Sequence, residues 1–406
     1  MLDELGLRIR DVVLSEIDLS KELSDEEICD LIGMAVSKEA REIPMTLRQR
    51  ADLERIIFNS LRKLDILQEL VDDKDVTEIM VNGPNEIFYE KAGRIYEFNG
   101  HFSSEEKLED VIQQIVGRHN RVVNQASPIV DTRLSDGSRV NIVLNPISIG
   151  GSAVSIRKFP EHPMSMEKLI DIESISPEAA GVLQILTQAK YNIFISGGTG
   201  SGKTTFLNAL SQYIPDDERI ITIEDSAELQ LVGAKNIVRL ETRNSNTDGV
   251  TPITIRDLIR TALRMRPDRI IVGECRGAEA LDMLQAMNTG HDGSLSTGHA
   301  NSPADAISRI EVMTLMGAEE MPLKAIRQQV ASGIDIIVQL GRLRDKSRRV
   351  LEISEIDSFT DGEIMLNSLY HFEESGVDDD GRILGQLVKT GTLRHTQKLC
   401  AAGLKI

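Results

Sequence analysis

Residues 191–210 constrain this chain more tightly than any other stretch. An apolar run, Ile193-Phe194-Ile195, leads into Gly197-Gly198-Thr199-Gly200-Ser201-Gly202-Lys203-Thr204, and helix-forming residues follow. The spacing is G-x-x-x-x-G-K-[ST]. Its glycines let successive backbone N–H groups turn inward around phosphate oxygens at the N-terminus of a helix. Gly198, Thr199, Gly200, Ser201, Gly202, Lys203, Thr204 and Thr205 are therefore the expected contacts to the phosphates of a nucleotide such as ATP. Lys203 is expected to reach the β- and γ-phosphates, and Thr204 to offer its hydroxyl to Mg²⁺, an ion that keeps several waters and takes few protein ligands.

The segments around this loop alternate. YNIFISG, RIITIED, RIIVGE, GSLSTGH, IDIIVQL and RVLEISEI read as short strands, interleaved with helices expected over 203–213, 254–264, 277–288, 303–316 and 322–332. Such alternation predicts an α/β domain with a mainly parallel sheet covered on both faces. Upstream the pattern differs. Strand-like TEIMVNG, EIFYEKAG, RIYEFNG, SRVNIVLNPI and SAVSIRK surround a single helical stretch, EEKLEDVIQQIVGRHN, and Asn-Gly and Ala-Gly punctuate them as turns. Residues 1–60 show apolar positions at helical spacing, as in Leu53, Ile56, Ile57 and Leu61. The expected organisation is a helical segment over 1–60, an α+β domain over 61–158, a linker over 159–175 and the α/β domain with a C-terminal extension over 176–406.

Composition excludes several classes. With 64 Asp and Glu against 46 Lys and Arg, the formal net charge of −18 disfavours broad binding to nucleic acid or anionic lipid. Cys29, Cys275 and Cys400 are far apart and form no CxxC pair, so neither a disulfide framework nor a zinc site is expected, which fits a reducing cytosol. The N-terminus lacks the apolar core of a signal peptide, and no apolar run is long enough to span a bilayer, so membrane contact is expected only through a partner.

Other residues could complete the chemistry. Arg269-Ile270-Ile271-Val272-Gly273-Glu274 is a buried-type strand ending in a carboxylate that can orient a Mg²⁺ shell or take a proton from attacking water. Glu224 and Asp225, at the end of the strand starting at Ile220, are further candidates, and which carboxylate activates water stays open. His291 and His299 bracket the short strand GSLSTGH, where a histidine can hydrogen-bond a γ-phosphate or serve a purely structural end. Arg133 and Arg139 flank the Asp136-Gly137 turn, as donors to phosphate or as exposed partners of Asp131 and Asp136. The basic run Arg342, Arg344, Lys346, Arg348 and Arg349 reads as a solvated hairpin between two strands rather than a partner surface.

The order GGTGSGKTT, ITIEDSAELQL, RMRPDRIIVGECRG and TGHDGSLSTGHANSP resembles the Walker A, Asp, Walker B and His boxes of the type II/type IV secretion ATPase superfamily. Upstream, VTEIMVNGPNEIFYEK and DTRLSDGSRVNIVLNPISIGGSAVSIRKF resemble the N-terminal domain of its CpaF-type branch, which drives Tad/Flp pilus assembly. The resemblance implies a RecA-like P-loop ATPase domain and catalytic roles for Lys203, Glu224, Glu274, His299, Arg133 and Arg139. It also implies nucleotide contacts from Arg157, Glu228 and His291, with Thr204 and Glu274 as Mg²⁺ ligands. A homohexamer in the cytoplasm, held at the inner face of the membrane by a platform protein, would move pilin or export substrate. A Vir-type secretion ATPase and a nucleotide-binding regulator without motor activity are the alternatives.

Overall fold

The computed structural model describes residues 2–17, 23–118, 122–159, 163–243, 251–318 and 320–406. They fall into two compact units, the first reaching residue 159 and the second starting at residue 163.

The first unit opens with three helices, α1 (Leu2–Glu16), α2 (Asp25–Glu39) and α3 (Leu47–Arg62). Ile9, Val13, Ile32, Val36, Leu53 and Ile57 form their shared core. Ser24 and Thr46 start α2 and α3 with capping boxes. Each side-chain oxygen accepts the N–H of Glu27 or Gln49, whose own side chain returns to the cap N–H. The short helix α4 (Leu67–Asp72) leads into β1 (Val76–Asn82), β2 (Ile87–Lys91), β3 (Arg94–Glu97), α5 (Glu105–Gly117), β4 (Ile129–Arg133), β5 (Arg139–Val143) and β6 (Ala153–Arg157). The strands form an antiparallel sheet in the order β3-β2-β1-β6-β5-β4. Leu108, Ile112 and Ile115 of α5 join Ile79, Ile142 and Ile156 in one core. Strands β4 to β6 bury alternate residues, as expected of a sheet with one covered and one open face.

The second unit contains α6 (Met166–Asp171), α7 (Pro177–Gln188), β7 (Ile193–Gly197), α8 (Lys203–Ser211), β8 (Arg219–Glu224), β9 (Asn236–Glu241), α9 (Ile255–Ala262), β10 (Arg269–Val272), α10 (Glu279–Asn288), β11 (Leu295–Gly298), α11 (Pro303–Gly317), α12 (Leu323–Gly333), β12 (Ile336–Arg342), β13 (Arg348–Thr360), β14 (Glu363–Val377), β15 (Ile383–Lys389) and α13 (Gln397–Ala402). Helix α6 falls inside the stretch 159–175 expected as a linker, of which 160–162 lie outside the described residues. The sheet order is β15-β14-β13-β12-β7-β11-β10-β8-β9. From β12 to β9 every neighbour is parallel, while β13 to β15 extend the other edge antiparallel. Two cores cover the two faces of the parallel part. Ile193 and Ile195 belong to the one that includes Leu183 and Leu207; Phe194 belongs to the other, with Ile259, Leu284 and Ile310. This is the α/β architecture expected from the alternation. Strands β9, β14 and β15 were not anticipated. Each is partly exposed and β14 carries Glu373, Glu374 and Gly376, so none shows the wholly apolar pattern of a central strand.

Candidate functional site

The loop after β7 wraps because its glycines allow it. Gly200 and Gly202 adopt φ of +70° and +93°, left-handed values that favour glycine. A side chain on Gly197 would meet Leu340 O at 2.7 Å, so only glycine lets β7 and β12 lie this close at their carboxyl ends. Gly202 precedes α8 and supplies no side-chain cap, which leaves the helix start to an anion. Lys203 Nζ donates to Gly197 O and Gly198 O at 3.1 Å each, folding back over its own loop. Burial pulls the Lys203 pKa down, and the nearby Glu274 carboxylate opposes that pull.

Lys203 also begins a relay. Its Nζ lies 3.3 Å from His299 Nδ1, and His299 Nε2 lies 2.8 Å from Glu274 Oε1. An ammonium only donates, so Nδ1 is the acceptor and Nε2–H donates to the carboxylate. Burial, then repulsion by Lys203, lowers the His299 pKa, consistent with this neutral tautomer. Glu274 Oε2 takes a 2.7 Å bond from Arg276 Nε, and Arg276 Nη1 reaches Asp225 Oδ2 at 3.5 Å. Five side chains from four segments thus converge at one end of the parallel sheet: Lys203, His299, Glu274, Arg276 and Asp225. Asp225 is thus brought into the site as one of the two strand-end acids read from RIITIED, whereas Arg276, two residues beyond Glu274, was not anticipated.

Glu224 has different surroundings. It is buried, and its Oε1 accepts the backbone N–H groups of Glu228 and Leu229 at 2.8 and 2.9 Å. A methyl group on Gly273 would lie 2.8 Å from Glu224 Cγ, so that glycine makes room for the carboxylate beneath the strand end that carries Glu274. Glu224 therefore shapes the 225–229 turn, and Glu228 stands in the site region through that turn. His291 stands apart. It precedes Leu295 at the amino end of β11, whereas His299 and the P-loop lie at the carboxyl ends of their parallel strands. A four-residue strand spans about 13 Å, so the two histidines do not share one site within this chain.

The first unit gathers its candidate arginines by register. Arg133 is the cross-strand partner of Arg139, and Arg139 of Arg157, which makes one row on the open face of β4, β5 and β6.

A glycine loop at the carboxyl end of a central parallel strand, with a lysine and hydroxyl at the helix start and a strand-end carboxylate beside them, defines a P-loop ATPase. Its family follows from comparison with known proteins. Residues 60–382 match the family described as Type II/IV secretion system protein, and the chain belongs to that family. It is 31% identical over 342 residues to a putative conjugal transfer protein of Mycobacterium tuberculosis, covering 83% of this chain and 96% of that protein. It is 32% identical to the conjugal transfer protein TrbB of Rhizobium radiobacter, covering 81% of this chain and 98% of the relative. In fold it is similar to the ATPase DotB of Legionella pneumophila, with a TM-score of 0.53 at 22% identity over 72% of this chain and 80% of that one. No described helix is long and apolar enough to cross a membrane.

Proposed function

We propose that the chain is a motor ATPase that couples ATP hydrolysis to closure of its two units in pilus assembly or protein export, with the CpaF-type (Tad/Flp) role as the leading assignment. The single observation that carries the reading is the connected set Lys203, His299 and Glu274. In it the phosphate-gripping cation and the carboxylate that activates water sit on the two nitrogens of one imidazole. A γ-phosphate that draws Lys203 off its own loop carbonyls also changes what His299 offers Glu274, so nucleotide arrival is transmitted to the carboxylate. Thr204 and Glu274 are the groups that would hold Mg²⁺, an ion that would neutralise phosphate charge. The donor set suits that ion, since it needs only one or two protein oxygens here and MgATP brings the rest.

Arg133, Arg139 and Arg157 are assigned to the nucleotide's phosphates, delivered by the first unit on closure. The functional assembly is proposed as a homohexamer in the cytoplasm, docked on an inner-membrane platform protein, with no nucleic-acid partner given the charge of −18. A Vir-type role in a type IV secretion system is the second reading. The names of the conjugal transfer relatives favour it. Purified protein is expected to hydrolyse ATP only with Mg²⁺, and Lys203→Ala to abolish turnover; unchanged turnover in that variant refutes the enzyme reading. Loss of pili or loss of conjugal export on deletion of the gene separates the two roles.

A further inference from the structure

The basic run between β12 and β13 divides into two kinds of arginine. Arg344 is engaged by Glu374, and Arg349 is buried against Glu173. Arg342 and Arg348 have no acidic partner among the described residues, in a chain that carries an excess of 18 acidic groups. They are also each other's cross-strand partners, Arg342 closing β12 and Arg348 opening β13. Two arginines directly opposite and without counter-charge repel one another.

Their place in the sheet explains where they go. Strand β12 is the parallel neighbour of β7, with Leu340 in register with Gly197, so the hairpin passes beside the P-loop as it leaves the sheet. Arg348 Nε donates to Gly200 O at 2.8 Å, a carbonyl of the loop itself. A methyl group on Gly202 would lie 3.5 Å from Arg348 Cδ, and one on Gly200 3.9 Å from Arg342 Nη1. The Nε bond pins the Arg348 side chain against the loop and leaves its two terminal amino groups without an acidic partner among the described residues, pre-organised to bind a second ligand.

We propose that Arg342 and Arg348 form a phosphate-binding pair beside the P-loop, adding two guanidinium groups to Lys203 in the grip on the polyphosphate chain of the bound nucleotide. The proposal rests on the nucleotide reading of the loop. It adds two residues that the loop pattern does not contain, and it assigns them to affinity rather than to turnover. An anion between the two guanidinium groups removes their mutual repulsion and gains charge-assisted hydrogen bonds from both.

The test is equilibrium titration of the full chain with a fluorescent ADP and with a non-hydrolysable ATP analogue, at several salt concentrations. Arg342→Gln and Arg348→Gln are each expected to weaken binding about three- to tenfold, and the double variant about thirtyfold or more, with a shallower dependence on salt because two phosphate contacts are gone. The melting temperature without nucleotide is expected to stay within a degree or two of the unmodified chain. Arg348→Lys should recover part of the affinity. Binding by the double variant within twofold of the unmodified chain overturns the pair, as does weaker binding with an unchanged salt dependence. Should the double variant not fold, the single variants at these exposed positions carry the same test. Failure of the unmodified chain to bind either nucleotide would instead remove the P-loop reading itself, so the two failures are distinguishable.

Discussion

The chain carries two cross-strand arginine arrays, and they differ in what surrounds them. Arg133, Arg139 and Arg157 lie in one row on an antiparallel sheet of the first unit. Arg342 and Arg348 lie on a hairpin of the second unit, with Arg348 bonded to the P-loop itself. The hairpin pair stands beside the phosphate loop at all times, because β12 is hydrogen-bonded to β7. The row belongs to a separate unit and serves the nucleotide only if that unit delivers it. A permanently placed cation is suited to ground-state affinity. A delivered one is suited to the transition state, where only interactions stronger than in the ground state raise the rate. The comparison teaches that arginine count says little about role; what holds the arginine relative to the loop decides it.

The largest effect tests what both arrays presuppose. Lys203→Ala is expected to lower turnover at least about a thousandfold and to make the state of either array irrelevant to rate, as measured by phosphate release. Glu274→Gln removes the proposed proton acceptor and Mg²⁺ ligand but no donor to phosphate, so it should cost turnover on the same order and nucleotide affinity far less; a drop in affinity equal to the drop in rate would undo that division. Next comes the contrast itself. Arg133→Ala combined with Arg139→Ala should reduce kcat by roughly a hundredfold with nucleotide affinity changed only a few fold, within the range of a lost arginine at a transferring phosphate. The hairpin pair should show the reverse, a changed KM at nearly constant kcat. If both arrays move the same parameter, the distinction between permanent and delivered cations fails.

Smaller effects isolate structure from chemistry. Gly273→Ala forces a methyl group against Glu224 and should destabilise the second unit by about 1–3 kcal/mol in a urea melt, as overpacking does. Turnover at temperatures well below the melt should fall because the strand end carrying Glu274 shifts. The weakest expected effect lies at high pH, remote from both arrays. Burial raises the phenol pKa of Tyr191 and Tyr370 to about 12 from the ordinary 10. A raised folded-state pKa means stability that is complete below pH 10 and lost between pH 10 and 12. Tyr191→Phe combined with Tyr370→Phe should flatten that loss in urea midpoints taken at pH 9 and 11.

Legibility varied with how local each feature is. The strand, glycine loop and helix start at 193–205 were readable because the phosphate cradle is built from consecutive backbone N–H groups. Glu274 was readable because a carboxylate ending a wholly apolar strand points to one place in a parallel sheet. Arg342 and Arg348 were visible as charges within a hairpin, but their proximity to Gly200 was not, since it depends on β12 pairing with β7 across 143 positions of sequence, as Ile193 with Ile336 shows. Glu224 was readable as a strand-end acid but not as a buried one, because its burial requires Gly273 on a neighbouring strand. His291 and His299 looked equivalent in sequence, and only the direction of β11 separates them.

By itself the sequence determined that the chain carries a P-loop, which residues form it, and that a parallel sheet presents it, because those properties arise from local backbone geometry and the period of the apolar pattern. The tertiary structure alone decided which distant side chains stand beside that loop. Strand order and register bring Leu340 against Gly197, His299 between Lys203 and Glu274, and Arg348 onto Gly200, and such pairings are set by packing of the whole sheet rather than by neighbours along the chain.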